Sequence, residues 1–219
     1  MKLALFDLDH TLIPFDSGMA WTRLLVDAQA LPPQAEAQYL HYCHQYVAGT
    51  LDIHAMHRAS IAPLRAFAPA QLAHWLQQFE QAVDLRIPQA THDLVRRHRD
   101  EGHICAMVTA TTRFIAEPFA RCFGIEHVVA TEAQRVDGMP SGEIEGLPCF
   151  REHKVTRVQD WLSRQGLPQI TAFEASWFYS DSASDLPLLS AVSNPVAVHP
   201  DERLRAHARA FGWLILEPG

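Results

Sequence analysis

The alternation of apolar and polar residues divides the chain into stretches of different character. Residues 2–6 are mostly apolar and run into two carboxylates, which predicts a short buried strand. From about residue 18 to 85, apolar residues instead recur at helical spacing. Trp21 and Leu25 lie on one stripe of the first helix, and Pro69 opens the last. The pattern therefore predicts an all-helical insertion after a single strand.

Beyond about residue 88, predicted strands and helices alternate along the chain. The strands are predicted at 103–108, 127–130, 175–179, 195–198 and 213–216. The helices are predicted at 90–101, 112–123, 152–165 and 183–192, and a small hairpin lies within 136–147. Such alternation predicts a parallel sheet covered by helices on both faces. The predicted fold class is α/β, with a doubly wound parallel-sheet core (residues 1–15 and 87–219) and an inserted all-helical domain (residues 16–86).

Composition narrows the class of protein. The 219 residues carry a net charge of −7, which disfavours binding of nucleic acid through its phosphates. No apolar run approaches the length of a membrane span, and the four cysteines form no C-x-x-C pair. We therefore expect a folded cytoplasmic protein with free thiols and with neither nucleic acid nor membrane as a partner. The oligomeric state is left open.

Polar side chains cluster where the predicted strands end and near one helix start. They are Asp7, Asp9, Thr109, Lys154, Asp181 and Asp185. In a parallel sheet, the carboxyl ends of the strands meet at one edge, where ligands bind. Crowded carboxylates repel one another unless cations neutralise them, and hard oxygen ligands suit Mg²⁺. With Mg²⁺ and the lysine present, the site is able to hold a phosphate dianion, which indicates phosphoryl-transfer chemistry.

These residues, in their order and spacing, resemble the four motifs of the haloacid dehalogenase (HAD) superfamily of phosphatases, over essentially the whole chain. Asp7-Leu8-Asp9-His10-Thr11 is similar to the first motif, D-x-D-x-T/V. Thr109 and Lys154 match the second and third motifs. Asp181 and Asp185 match the fourth, D-x-x-x-D. The helical insertion looks like a cap of the phosphoserine phosphatase-like branch.

The resemblance implies a role for each motif residue. Asp7 is the nucleophile, forming an aspartyl phosphate, and Asp9 is the general acid for the leaving oxygen and then the base for water. Thr109 and Lys154 hold the phosphate. The implied Mg²⁺ site comprises Asp7, Asp9 through its backbone carbonyl, Asp181, and Asp185 acting through a bound water or by orienting other groups.

The substrate is indicated by fewer positions. Phosphoserine phosphatases carry a Glu that meets the substrate's amino group nine residues after the nucleophile, where this chain has Asp16. Their cap arginine, which grips the substrate carboxylate, aligns with Ser60, and Thr109-Ala110-Thr111 stands where they show Ser-Gly-Gly. An acid without the arginine suits a phosphate ester with an amine but no carboxylate, such as histidinol phosphate. Ala110 and Arg113 are further candidate substrate contacts, a helix-surface role for Arg113 being the alternative.

We therefore expect a Mg²⁺-dependent phosphomonoesterase that acts through an aspartyl phosphate on a small phosphorylated metabolite. An amine-bearing ester of the histidinol phosphate or phosphoserine type is preferred. The alternatives among enzymes are a phosphotransferase or mutase, in which another acceptor replaces water, and a phospholipid phosphatase. A non-catalytic phosphate-binding protein is disfavoured, because a pure binder needs no second carboxylate poised as an acid.

Overall fold

The computed structural model describes residues 1–217. The strands are β1 (Lys2–Phe6), β2 (Ile104–Thr112), β3 (His127–Thr131), β4 (Ala133–Val136), β5 (Met139–Ile144), β6 (Ala175–Ser180), β7 (Asn194–Val198) and β8 (Leu214–Leu216). Six of them form one sheet of parallel strands in the order β3-β2-β1-β6-β7-β8, and β4 pairs with β5 in a separate antiparallel hairpin. The first strand therefore lies at the centre of the sheet, with neighbours on both sides.

Helices occupy the insertion and both faces of the sheet. Their bounds are α1 (Ser17–Asp27), α2 (Gln34–Ala48), α3 (Ile53–Ile61), α4 (Pro69–Asp84), α5 (Gln89–Asp100), α6 (Arg113–Phe123), α7 (His153–Arg164), α8 (Leu186–Leu189) and α9 (Glu202–Phe211). Helices α1 to α4, called the cap below, follow β1 without an intervening strand. This arrangement confirms the predicted α/β class with a helical insertion. None of the described helices combines the length and the apolarity that crossing a bilayer requires.

Local sequence signals account for where the cap helices begin and end. Asp16 caps α1 by accepting the Met19 N–H at 2.7 Å, because the first N–H groups of a helix lack partners within it. Asp52 caps α3 in the same way. Gly49 ends α2 with a φ of 76°, a left-handed conformation that costs a glycine little.

Two hydrophobic layers enclose the sheet. Because side chains alternate along a strand, Leu3 and Leu5 of β1 enter the layer beneath α7 to α9, whereas Ala4 and Phe6 enter the layer shared with α5, α6 and the cap. All four side chains are fully buried. The alternation and the helices on both faces hold the end of β1 rigidly, and the catalytic candidates follow directly from it.

The structure differs from the sequence prediction at three places. Strand β2 continues to Thr112, and its pairing with β3 shifts register between Val108 and Thr112, so Thr109 lies at a break in the ladder rather than beyond the strand. The predicted helix 183–192 is a 3-10 turn followed by the single-turn helix α8. Helix α9 was not predicted, although Asp201 caps it by accepting the Leu204 N–H.

The hairpin of β4 and β5 has the turn that its Asp-Gly sequence predicted. Asp137 and Gly138 both have positive φ angles, 52° and 81°, as a type I′ turn requires. The hairpin packs against α3, where His57 Nδ1 donates to the carbonyl oxygen of Gly142 at 2.7 Å. This contact ties the cap to the core at a point away from the strand ends.

Candidate active site

The carboxyl ends of β1, β2 and β6 converge on one edge of the sheet, as the parallel order requires. A cleft of about 1110 Å³ opens between this edge and the cap. The core side of the cleft is lined by Asp7, Asp9, Thr109, Ala110, Lys154, Asp181 and Asp185, and the cap side includes Asp16, Tyr39, Cys43, Tyr46 and Ser60. All four candidate motifs therefore face one cavity.

Lys154 connects two of the motifs through its ammonium group. Its Nζ donates to Asp7 Oδ1 at 2.9 Å and to Asp185 Oδ2 at 2.7 Å, and the Ser180 hydroxyl also donates to Asp185 Oδ2 at 2.7 Å. The lysine side chain is only 4% exposed. Burial lowers the pKa of Lys154, but the carboxylates of Asp185 and Asp7 outweigh that effect and raise its pKa well above the usual value. The ammonium therefore stays charged inside the protein.

One ammonium does not neutralise the carboxylates around it. Burial raises the pKa of Asp7, and the nearby Asp185 raises it further against the opposing effect of Lys154. Burial also raises the pKa of Asp181 well above its usual range, with Asp7 and Asp185 adding to the rise. Asp185 Oδ1 is buried and has no hydrogen-bond partner within the described residues. The cluster is thus short of positive charge.

A divalent cation fits the chemistry of this cluster, because its donors are carboxylate oxygens and a buried lone pair is left over. Within residues 1–217, however, no three His, Cys, Asp or Glu side chains converge on a single point suited to a metal ion. Lys154 lies between Asp7 and Asp185, and the Thr11 hydroxyl donates to Asp181 Oδ1 at 3.3 Å. The donor types fit Mg²⁺, and the ligand set stays a prediction.

Asp9 lies on the cap side of the same strand end. Its Oδ1 accepts the backbone N–H of Ser17 at 2.6 Å, and its Oδ2 accepts the Thr111 hydroxyl at 2.9 Å. Burial raises the pKa of Asp9 to about 6, and the carboxylate of Asp16 contributes to the rise. A carboxyl group with such a pKa is able to give up and take up a proton near neutral pH.

Thr109 and Ala110 line the cleft beside these acids. Thr109 is buried, and its hydroxyl oxygen accepts the backbone N–H of Thr111 at 3.1 Å, so its hydroxyl hydrogen is left to donate elsewhere. Helix α6 begins shortly afterwards, at Arg113. The arrangement is compatible with the predicted contact of Thr109 to a phosphate oxygen.

Asp16 reaches the cleft from the start of the first cap helix. One carboxylate oxygen caps α1, and the other lies 4.0 Å from Cys43 Sγ. Burial raises the pKa of Asp16. The buried Tyr39 packs beside it; burial raises the pKa of Tyr39, and the carboxylate of Asp16 adds to the rise. An acid held in this way favours a cationic partner, since a buried carboxylate without one is costly.

The structure does not bring Arg113 to the cleft. Its guanidinium group pairs with Glu132, with Nη2 and Oε1 2.7 Å apart, and Nη2 also donates to the Val128 carbonyl at 2.8 Å. Glu117, one helical turn further along α6, lies 3.7 Å away. The candidate substrate contact at Arg113 is therefore wrong, because the first turn of α6 directs this side chain towards β3 and away from the cavity.

Several polar contacts at the site were missed in the sequence. Tyr46 of the cap places its hydroxyl 3.0 Å from Ser182 Oγ and 2.7 Å from Ser184 Oγ, in the loop between Asp181 and Asp185. Asp201 accepts the Ala183 N–H of the same loop at 2.7 Å. The capping signal at Asp201 was available in the sequence, whereas the contacts of Tyr46 join distant segments that no local pattern links.

Comparisons with known proteins place the relatives of this chain among hydrolases and phosphatases. A family model described as haloacid dehalogenase-like hydrolase matches residues 4–190. A histidinol-phosphatase of Neisseria meningitidis is 36% identical over 218 residues, spanning 98% of each chain. A phosphoserine phosphatase of Mycobacterium tuberculosis is 29% identical over 219 residues, spanning 97% of this chain and 69% of its own.

A solved structure extends the likeness to three dimensions. The crystal structure of a protein of unknown function from Bordetella pertussis Tohama I superposes with a TM-score of 0.90, at 40% identity, over 98% of this chain and 97% of that one. The fold and the enzyme class predicted from the motifs, a phosphatase of this type, are thereby confirmed. The chain belongs to the haloacid dehalogenase-like hydrolase family.

Proposed function

We propose that this enzyme is a Mg²⁺-dependent phosphomonoesterase that works through an acyl phosphate on Asp7. The placement of Asp7 carries the proposal: it is buried at the end of the central strand, faces the cleft and contacts the Lys154 ammonium at 2.9 Å. A carboxylate so placed is able to act as a nucleophile, while the ammonium offsets charge on the phosphate.

The proposed reaction has two steps. In the first, a carboxylate oxygen of Asp7 attacks phosphorus, the bond from phosphorus to the ester oxygen breaks, and Asp9 gives its proton to that oxygen as the alcohol leaves. In the second, Asp9 takes a proton from water as the water oxygen attacks phosphorus. The bond between phosphorus and Asp7 then breaks, which restores the carboxylate and releases orthophosphate. Thr109 and Lys154 hold the phosphate oxygens throughout.

Mg²⁺ is proposed as the cation that the acidic cluster lacks. Asp7, Asp181 and the backbone carbonyl of Asp9 would hold it, with Asp185 nearby to orient the site. When bound, it supplies positive charge for the phosphate oxygens. The support is the excess of buried carboxylates, the unpartnered Asp185 Oδ1 and the family's general use of this ion. Full activity in chelator-treated, metal-free buffer would contradict this assignment.

We propose an amine-bearing ester without a carboxylate, of the histidinol phosphate type, as the substrate. Asp16 supplies the half-buried carboxylate for the amine. Ser60 lines the cleft on α3, whereas Arg58 of that helix pairs with Glu143 on the hairpin, 2.7 Å apart. Neither residue therefore supplies a guanidinium group that binds a substrate carboxylate in the cleft. The 36% identity to a histidinol-phosphatase supports the same class, and the phosphoserine phosphatase relative makes phosphoserine the second candidate.

Three esters, the wild type and two variants test the substrate class. kcat/KM is measured for histidinol phosphate, phosphoserine and p-nitrophenyl phosphate on the wild type, on Asp16→Asn, and on Asp52→Asn as a control. Asparagine caps a helix as well as aspartate does, so Asp16→Asn removes the charge but keeps the cap of α1. The control makes the same change at the α3 cap, which does not line the cleft.

Asp16→Asn should lower kcat/KM for histidinol phosphate by about 10- to 150-fold, the factor that a lost charge-assisted hydrogen bond of ~1.5–3 kcal/mol implies. Turnover of p-nitrophenyl phosphate and the Asp52→Asn control should change little. Equal losses on all three esters would show that the charge of Asp16 serves the reaction common to them and not the recognition of the amine. A wild type that prefers phosphoserine would overturn the substrate assignment.

Asp7→Asn tests the chemistry independently of the substrate. An amide neither attacks phosphorus nor binds Mg²⁺ well, so turnover of all three esters should vanish while the protein stays folded. A phosphoryl group trapped by acid quenching should map to Asp7 in the wild type. Near-normal activity of Asp7→Asn would refute the mechanism.

A further inference from the structure

Thr111 contacts the proposed acid although none of the four motifs implies a role for its side chain. Its hydroxyl oxygen lies 2.9 Å from Asp9 Oδ2 and 2.9 Å from the hydroxyl oxygen of Ser17. The backbone N–H of Ser17 donates to the other oxygen of the same carboxylate at 2.6 Å. Both oxygens of the Asp9 carboxylate therefore accept a hydrogen bond. One comes from Thr111 at the end of β2, and the other comes from Ser17 in the first turn of α1.

The number of hydroxyl hydrogens determines which group donates in each of these contacts. A carboxylate only accepts, so the single hydroxyl hydrogen of Thr111 goes to Asp9 Oδ2, and the Ser17 hydroxyl donates to Thr111. Oδ2 has a second lone pair, so it is able to carry the proton destined for the leaving oxygen while it still accepts from Thr111. The contact to Thr111 is therefore kept in both protonation states, and the proton of Asp9 stays free to face the substrate.

We infer that Thr111, backed by Ser17, positions the Asp9 carboxyl group for both proton transfers of the reaction. The inference rests on the proposed function, in which Asp9 first gives a proton to the leaving oxygen and then takes one from water. Thr111 does not touch the phosphate in this scheme. It is a positioning residue that keeps one geometry of Asp9 through two protonation states.

Position 111 has a second link to the site. The Thr111 backbone N–H donates to the Thr109 hydroxyl oxygen at 3.1 Å, so the residue that orients the acid also orients the hydroxyl proposed to hold the phosphate. The acid and the phosphate contact are thereby held at a set separation by one short segment of β2. A side chain without a hydroxyl keeps the backbone link and loses only the contacts to Asp9 and to the Ser17 hydroxyl.

The test compares variants that keep the shape of residue 111 and change its hydrogen bonding. Thr111→Val is nearly isosteric and favours a strand, and Thr111→Ser keeps the hydroxyl. Ser17→Ala removes the backing hydroxyl but keeps the N–H that Asp9 accepts. Thr112→Val, the same change one residue along the strand, is the control. Thermal unfolding of each variant confirms that it is folded before kcat and KM are measured.

The readout is the dependence of kcat on the leaving group, because an alkyl alkoxide needs a proton far more than p-nitrophenolate does. Histidinol phosphate and p-nitrophenyl phosphate are the two probes. Thr111→Val should lower kcat about 10- to 100-fold for the alkyl ester and under about 3-fold for the aryl ester, with KM little changed. Thr111→Ser should lie close to the wild type, Ser17→Ala in between, and Thr112→Val at the wild-type value.

Asp9→Asn separates failure of this inference from failure of the proposed function. If Asp9→Asn shows the alkyl-selective loss and Thr111→Val does not, Thr111 is only a structural contact and the inference is overturned. If Asp9→Asn loses equally on both esters, Asp9 is not the acid, and the proposed mechanism falls together with the inference. If Thr111→Ser loses as much as Thr111→Val, the methyl group matters rather than the hydroxyl, which also overturns it.

Discussion

Removing the buried ammonium should expose how strongly the active site depends on it. Lys154→Met keeps most of the side-chain volume but leaves the oxygens of Asp7 and Asp185 without the cation that lies 2.9 and 2.7 Å from them. All three side chains are almost fully enclosed. Removing one partner of a buried ion pair costs ~3–5 kcal/mol, because the remaining charge is stranded in a medium that solvates it poorly.

The loss of stability in Lys154→Met has an upper limit, because Asp7 is able to take up a proton and become neutral. Protonating a carboxyl group of ordinary pKa 3.8 costs at most ~4 kcal/mol at pH 7 and under ~2 kcal/mol at pH 5. The destabilisation should therefore shrink as the pH falls from 7 to 5. For a chain of this size, the full loss corresponds to a fall of ~10 °C in the unfolding temperature.

The assay is urea unfolding followed by tryptophan fluorescence, in chelator so that no added metal replaces the lost charge. Arg58→Met is the matched control: it breaks an ion pair with Glu143 of the same 2.7 Å length, but both of those side chains are about half exposed. That variant should leave the midpoint nearly unchanged, because exposed pairs are solvated and screened. If Lys154→Met costs no more than Arg58→Met, or if its cost grows towards pH 5, the assigned buried charge cluster is wrong.

Two further perturbations test other parts of the fold. Burial lowers the pKa of His98 to about 4, and the neighbouring His103, whose Nδ1 lies 2.8 Å from that of His98, adds to the effect. The folded state therefore resists a proton that the unfolded chain accepts, so stability should fall as the pH drops from about 6.5 to about 4. Denaturation across that range should show a flatter profile for His98→Gln than for the wild type. Gly18→Ala would place a Cβ 1.9 Å from the Tyr39 hydroxyl oxygen. This substitution should destabilise the protein by ~1–3 kcal/mol, although alanine has the better helix propensity. A higher unfolding temperature would show that Tyr39 moves aside freely.

The sequence predicted the core of the fold because the signals there are local. The continuous apolar run of β1 follows from its burial on both faces, and the change from helical spacing to alternating elements near residue 88 marks where the insertion ends. The motif acids were placed together because parallel strands bring their carboxyl ends to one edge. These predictions needed only short-range patterns and one rule of sheet geometry.

The failures concern side-chain direction and contacts between distant segments. Arg113 stands close after Thr109 in the sequence, yet its place in the first turn of α6 turns it towards Glu132. The contact between Thr111 and Asp9 spans 102 positions, and nothing near either residue signals it. Helix α9 was not predicted, although Asp201 caps it, because only Leu204 and Ala208 of its residues are buried and its apolar stripe is short.

The start of α1 contacts both Asp16, the proposed site for the substrate amine, and Asp9, the proposed acid. Asp9 accepts the first N–H of this helix, from Ser17, and Asp16 accepts the N–H of Met19 two residues further on. The two carboxylates lie close enough for Asp16 to raise the pKa of Asp9, so a cation bound at Asp16 would also change the charge that the acid experiences. Any movement of the cap that shifts α1 would displace Asp16 and disturb the contact of Ser17 to Asp9 together. In the proposed mechanism, a substrate amine that holds Asp16 in place therefore also holds the proton donor in place, which gives the correct substrate an advantage in kcat as well as in binding.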